Sequence, residues 1–215
     1  MLTNDIKATL IDHMGSDLST VNAARVSFKK QHNTFDPATD TKLVNYLADH
    51  RHYSPFKHSA MSFHVKAPIF VARQLVKSEY LVMNEVSRRY VEDEVEFYVP
   101  DGWRERAPNK KQGSLGLHPS PLVQEVFDGN YKASMTSQLA LYNRMLDEGI
   151  APEQARMVLP LSLMTEWYWT GLTAAFAKMC TLRLKDDTQY ETRLVAQQID
   201  KAARELFPVS WASLV

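Results

Sequence analysis

Residues 61–90 read MSFHVKAPIFVARQLVKSEYLVMNEVSRRY. Met61 to Lys66 alternates apolar and polar residues, the period of a half-buried strand, and Pro68 closes it, so a helix is expected from about Ile69. The second part, Arg73 to Tyr90, sets Arg73, Lys77, Arg88 and Arg89 around Gln74, Asn84, Glu85 and Ser87, with the apolar run Leu81 to Met83 in between. Forked guanidinium groups match planar anions, and neighbouring carboxylate and amide groups read the edge of a polar heterocycle. A phosphorylated small molecule is therefore the first expectation. The plainer alternative is a surface helix with ordinary salt bridges.

Upstream, residues 5–12 (DIKATLID) have the pattern of a short strand, and Ser19 to Phe28 opens with cap-type residues and turns apolar, as a helix start does. Thr39-Asp40 can cap a helix that carries Leu43 and Leu47 on one face and ends near His50. His50, His52, His58 and His64 match no compact zinc spacing and have no cysteine to help them, so no metal is expected. Downstream, Pro, Gly and charge crowd together from about residue 99 to 120, which predicts a long loop of the kind that serves as a lid or binding loop. Ser120-Pro121 then starts a helix over about 121–148 with Leu139, Tyr142 and Leu146 on one face. A second helix is expected from Ala151-Pro152-Glu153, containing Arg156 and ending by Pro160. A third covers Leu172, Phe176, Met179 and Cys180, and a last one carries Val195, Ile199, Ala202 and Leu206. Few strands, many helices and no regular alternation give an α+β fold, a mixed β-sheet flanked by helices with one long helix in the second half, as a single domain over residues 1–215.

Composition narrows the function. With 25 basic and 25 acidic residues in 215, no global field favours nucleic acid or an anionic membrane. The first residues carry scattered charges, and nowhere do about 18 apolar residues run together, so a cytoplasmic protein is expected. Cys180 lies in AAFAKMCTLRL among apolar neighbours, the setting of a buried, inert thiol. Neither GxGxxG, GxxxxGK[ST] nor GxSxG occurs, which leaves no standard dinucleotide, P-loop or nucleophile-elbow site.

Several separated stretches in order, AARVSF (23–28), PFKH (55–58), FHVKAPIFVARQ (63–74), NEVSRRY (84–90), EFY (96–98), ARMVLP (155–160) and WTG…LRL, resemble the flavin-dependent thymidylate synthases over roughly residues 20–200. The resemblance implies methylation of dUMP at C5, with methylene-tetrahydrofolate as carbon donor, FAD as hydride carrier and NADPH as reductant. It also implies a homotetramer with active sites between subunits and no catalytic cysteine. Carried over by position, Arg73, Gln74, Glu85, Ser87, Arg89, Arg156 and Arg183 are the dUMP set, and Arg183 and Ser87 are the implied catalytic residues. Ser27, His58, Lys77, Ser78, Glu79, Glu85, Lys178 and Asp187 fall on the FAD and folate side.

That side departs from the family pattern. Lys77, Ser78 and Glu79 stand where the family has Arg-His-Arg, Asp187 stands where a histidine is usual, and Leu172 and Ala174 replace Asn and Arg. One lost charged hydrogen bond is worth about 1.5–3 kcal/mol, so FAD is expected to bind more weakly unless Arg88 or Lys178 compensates. Two other readings stay open on these residues: a dUMP-binding relative with altered C5 chemistry such as hydroxymethylation, and a non-catalytic nucleotide-binding homologue.

Overall fold

A computed structural model describes residues 1–91, 94–108 and 112–215. In chain order the elements are β1 (Leu2–Thr3), β2 (Lys7–Met14), α1 (Asp17–Arg25), α2 (Asp40–Asp49), β3 (Ala60–Pro68), α3 (Ile69–Leu75), β4 (Leu81–Glu85) and β5 (Phe97–Tyr98). There follow β6 (Arg104–Arg106), β7 (Ser114–Leu117), α4 (Pro121–Asp147), α5 (Pro152–Ala155), β8 (Met164–Leu172), α6 (Thr173–Arg183), α7 (Tyr190–Leu206) and α8 (Pro208–Leu214). The α+β class holds, with α4 the long helix. Ser120 caps it by accepting the Val123 N–H at 3.3 Å.

The alternation of Met61 to Lys66 places β3 inside a four-stranded antiparallel sheet of order β2-β3-β8-β4. Parallel pairing is confined to β1 and β5 among the described residues. Met61, Phe63 and Val65 of β3 and Trp167 and Trp169 of β8 point to one face, where Phe176, Cys180, Val195 and Ile199 of α6 and α7 cover them. Tyr168, Thr170 and Ser62 take the other face, as the two-residue period requires. A second cluster under α4 joins Met135 and Tyr142 to Phe97 and Leu163. A third joins α1 and α2 through Val21, Val44, Leu47 and Phe56.

Buried charge pins the outer helices. Asp40, fully buried at the start of α2, receives Arg25 Nη1 at 2.5 Å and the Asp36 N–H at 2.9 Å. Burial pushes its carboxyl up, but the Asp36 N–H, Arg25 and His32 outweigh that and hold it below the usual carboxylate range. Asp17 accepts the N–H groups of Val209 and Ser210 and so closes the first turn of α8.

Four expectations need correction. The strand at 5–12 is displaced to Lys7–Met14, and its register shifts between Leu10 and Asp12. The loop at 99–120 contains the hairpin of β6 and β7, docked on the start of α7 by Arg104 over the Tyr190 ring at 4.5 Å. The helix expected to run from Pro152 to Pro160 is only the single turn α5 and a 3-10 turn at Arg156–Val158. Pro160 forces Leu159 into extended backbone (φ −78°, ψ 134°). The surface-helix alternative for Arg73 to Tyr90 also fails, because α3 ends at Leu75 and Leu81–Glu85 is an edge strand. Among the described residues no helix is long and apolar enough to cross a membrane.

Candidate active site

Helix α3 separates two clefts. Ile69, Ala72, Arg73 and Val76 face a first cleft of about 730 Å³, whereas Phe70, Gln74 and Lys77 face a second of about 900 Å³. The spacings of three and four residues within each set are those of one helix face, and the two sets lie on different faces, roughly 120° apart at 3.6 residues per turn.

The first cleft gathers Arg73, Glu85, Ser87, Arg88, Arg89 and Arg156. Strand β4 delivers Glu85 and then stops. The Val86 N–H bonds the Glu166 carbonyl at 2.9 Å, and Ser87 Oγ accepts the Arg89 N–H at 3.3 Å, a side-chain turn from which Arg88 and Arg89 line the cleft. Glu85 is held by the Thr165 hydroxyl at 2.7 Å. Of the three other acids on the wall, Glu96 pairs with Lys66 and Glu166 with His64, and Glu94 offers its main-chain carbonyl to Arg88. Arg73, Arg89 and Arg156 have no carboxylate within ion-pair distance among the described residues. Arg89 instead donates to the Tyr90 hydroxyl and Arg156 to the Glu153 carbonyl. Cations placed this way are open to an incoming anion. No histidine or carboxylate bonds Ser87 Oγ among the described residues, so the hydroxyl is a turn-former and hydrogen-bonding group rather than an activated nucleophile.

The second cleft has a different character. Tyr98, Trp103, Tyr131 and Tyr190 bring flat rings, and Lys77, Arg104 and Arg183 bring charge. Burial, with Glu191 and Asp101 nearby, holds the Tyr98 phenol well above its ordinary value, and burial raises Tyr131 as well, so both stay neutral donors. Arg183 donates one Nη to the Gln74 main-chain carbonyl at 3.0 Å, while its buried Nε has no acceptor among the described residues. The Gln74 side chain is tied to the start of α7. Its Nε2 donates to Gln189 Oε1, and its Oε1 accepts the Thr192 hydroxyl at 3.2 Å.

The remaining expected residues line neither cleft. Ser27 and His58 are exposed on 3-10 turns after α1 and before β3. Asp187 accepts Gln112 Nε2 at 3.2 Å and anchors the hairpin loop. Glu79 pairs with Lys178 at 2.5 Å, and each shifts the other, the acid downward and the amine upward. Ser78 closes the turn after α3, its N–H bonding the Leu75 carbonyl. Among the described residues no group of three His, Cys, Asp or Glu side chains is placed to hold a metal, and His50 stacks on Tyr46. Sequence reasoning missed Thr165, Glu166, Gln189, Glu191 and Thr192. The alternation in MTEWYWT was the available signal for the first two.

Residues 9–209 match the family model described as thymidylate synthase complementing protein. A flavin-dependent thymidylate synthase of Thermus thermophilus is 39% identical over 204 residues, covering 95% of this chain and 73% of that one. The chain belongs to the flavin-dependent thymidylate synthase family. The family's enzyme from Kosmotoga olearia is 38% identical over 215 residues, 96% of this chain and 88% of that one. Among solved structures, the UMP/dUMP methylase PolB from Streptomyces cacaoi with bound 5-Br dUMP superposes with a TM-score of 0.89 at 34% identity, covering 99% of this chain and 95% of that one. The same methylase with 5-Br UMP gives 0.87 at 33% identity, covering 99% and 94%.

Proposed function

We propose that this chain methylates dUMP at C5 to give dTMP, with FAD as cofactor, methylene-tetrahydrofolate as carbon donor and NADPH as reductant, in the cytoplasm. The observation that carries the reading is the convergence of Arg73, Arg89 and Arg156, free of carboxylate partners among the described residues, on a cleft that also holds Glu85 and Ser87. Guanidinium groups without a carboxylate partner suit the nucleotide phosphate. Glu85 and Ser87 supply acceptors and a hydroxyl for the sugar and base.

Gln74, Lys77 and Arg183 lie across α3 in the other cleft, so one chain does not bring the whole nucleotide set together. A homotetramer in which the first cleft of one subunit faces the second cleft of another would complete each site. Arg183, with a buried Nε lacking an acceptor among the described residues, is the group to meet a pyrimidine carbonyl and stabilise the negative charge that develops as C5 becomes nucleophilic.

The flat rings and cations of the second cleft fit a flavin nucleotide. Lys77 would hold its diphosphate, and the ion pair with Lys178 neutralises the acid at Glu79 that would otherwise repel it. A flavin held by these residues would supply the hydride that completes the methyl group. Ser27, His58, Ser78 and Asp187, outside both clefts, would reach cofactor or folate only where subunits meet.

The test is tritium release from 5-tritiated dUMP with FAD, NADPH and methylene-tetrahydrofolate, followed by chromatography of the nucleotide. Label release with dTMP supports the reading, and release with another 5-substituted product replaces it with altered C5 chemistry. Binding of dUMP without release at saturating FAD overturns it in favour of a nucleotide-binding protein. A second reading, favoured by the methylase solved with 5-Br UMP, is that UMP is accepted beside dUMP. The same assay with 5-tritiated UMP decides it.

A further inference from the structure

We infer that the carboxylate of Glu191, acting through Gln189, fixes the amide of Gln74 in one orientation and so makes the second cleft select a uracil-type over a cytosine-type pyrimidine. The inference rests on the proposed reading that the nucleotide base lies against Gln74 and Arg183. It adds a positioning role for three residues, Gln189, Glu191 and Thr192, that the resemblance did not mark.

A chain of hydrogen bonds runs outward from one acceptor. Glu191, in the first turn of α7, is buried to 9% exposure. A carboxylate only accepts, so Gln189 must turn its Nε2 toward it, and does so at 3.0 Å. Gln189 Oε1, also only an acceptor, is then what Gln189 offers to Gln74, which turns its own Nε2 toward it. The Gln74 Oε1 is left facing the Thr192 hydroxyl, which can donate and does at 3.2 Å. The direction of each bond in this chain follows from Glu191.

A glutamine amide without such anchoring can rotate by half a turn and exchange its donor and acceptor ends. Uracil and cytosine differ by a similar exchange. Uracil offers an N3–H donor between two carbonyl acceptors, whereas cytosine offers N3 as an acceptor beside a 4-amino donor. Gln74 keeps one amide N–H and one Oε1 lone pair beyond the bonds described. Arg183, held beside it by the Gln74 carbonyl, adds only donors, which again suits a ring with two carbonyls. Discrimination then comes from leaving mismatched polar groups facing each other when cytosine enters.

The experiment is calorimetric binding of dUMP and dCMP to the FAD-loaded wild type and to Glu191→Gln, Thr192→Val and Thr192→Ser, with melting temperatures recorded for each. In Glu191→Gln the new amide can present either end to Gln189, so the preference for dUMP is expected to fall by about tenfold or more, the worth of a misdirected hydrogen bond. Thr192→Val should move the ratio the same way, and Thr192→Ser, which keeps the hydroxyl, should restore it. A preference unchanged within about twofold, less than one hydrogen bond is worth, in a folded Glu191→Gln overturns the inference. If that variant does not fold, an unchanged ratio in Thr192→Val does the same. A wild type that binds no dUMP overturns the proposed function together with it, and this appears before any variant is compared.

Discussion

Replacing Asp40 with asparagine removes the charge from a fully buried carboxylate that accepts Arg25 at 2.5 Å and the Asp36 N–H at 2.9 Å. Asparagine must turn its NH2 toward one of these donors, which leaves the largely buried Arg25 guanidinium without a counter-charge. Breaking a buried pair by removing one partner costs about 3–5 kcal/mol. For a chain of this size each kcal/mol moves the melting temperature by about 2–4 °C, so a loss of about 6–20 °C is expected. The assay is thermal unfolding followed by circular dichroism at fixed protein concentration, since assembly would make the midpoint concentration-dependent.

The dependence on pH gives an independent check. A carboxyl held below its unfolded value contributes stability that is fully present above the unfolded value, about 3.9, and is lost as pH falls through the folded one. The difference between wild type and Asp40→Asn should therefore stay constant from neutral pH to about pH 5 and shrink only in stronger acid. A melting loss below about 2 °C, under one kcal/mol at this chain length, would refute the reasoning, as would a difference that narrows between pH 8 and 6. Either result would mean that Arg25, which lies inside the AARVSF stretch, is not a structural partner of Asp40.

Arg156→Ala should weaken dUMP binding by about 1.5–3 kcal/mol, or roughly 10- to 150-fold, by calorimetry, with little change in melting temperature because the side chain is exposed and has no carboxylate partner among the described residues. Gly171→Ala places a Cβ against the Leu81 side chain and 2.8 Å from the Tyr80 carbonyl. It should cost about 1–3 kcal/mol by thermal denaturation, and by displacing β4, which carries Glu85, it should also weaken dUMP. Burial pushes the Cys180 thiol far above its ordinary value, so iodoacetamide should leave the native protein unlabelled at pH 8 and label it once urea unfolds it, read by mass spectrometry.

Much of this architecture follows from short-range patterns. The strand and helix within residues 61–75, the capped long helix and the amphipathic α7 each announce themselves by period and cap. What stayed hidden depended on long-range pairing. MTEWYWT alternates as a strand does, but nothing local says that β3 and β4 flank it, and Leu81–Glu85 becomes an edge strand only by pairing with it. The hairpin of β6 and β7 escaped notice because its residues lack strand propensity and are held by contacts to α7, such as Arg104 on Tyr190.

In the site, residue identity was legible and grouping was not. Nothing in the order of Arg73 and Gln74 says that they serve different clefts, and the threat posed by Glu79 vanishes only when Lys178, 99 residues away, is found beside it. Gln189, Glu191 and Thr192 gave no sign of a role, because the bonds that tie them to Gln74 span 115 and 118 residues of sequence.

Helix α3 has only seven residues, yet it forms a wall of both clefts. Removing one residue from it would rotate everything beyond by about 100° and draw it back by about 1.5 Å. Arg73 and Gln74 would then lose their clefts together, whatever residues replaced them. Length is under tighter restraint here than identity: just beyond the helix the acid at Glu79 is absorbed by a single neighbour, Lys178, whereas an insertion or deletion within α3 has no local remedy.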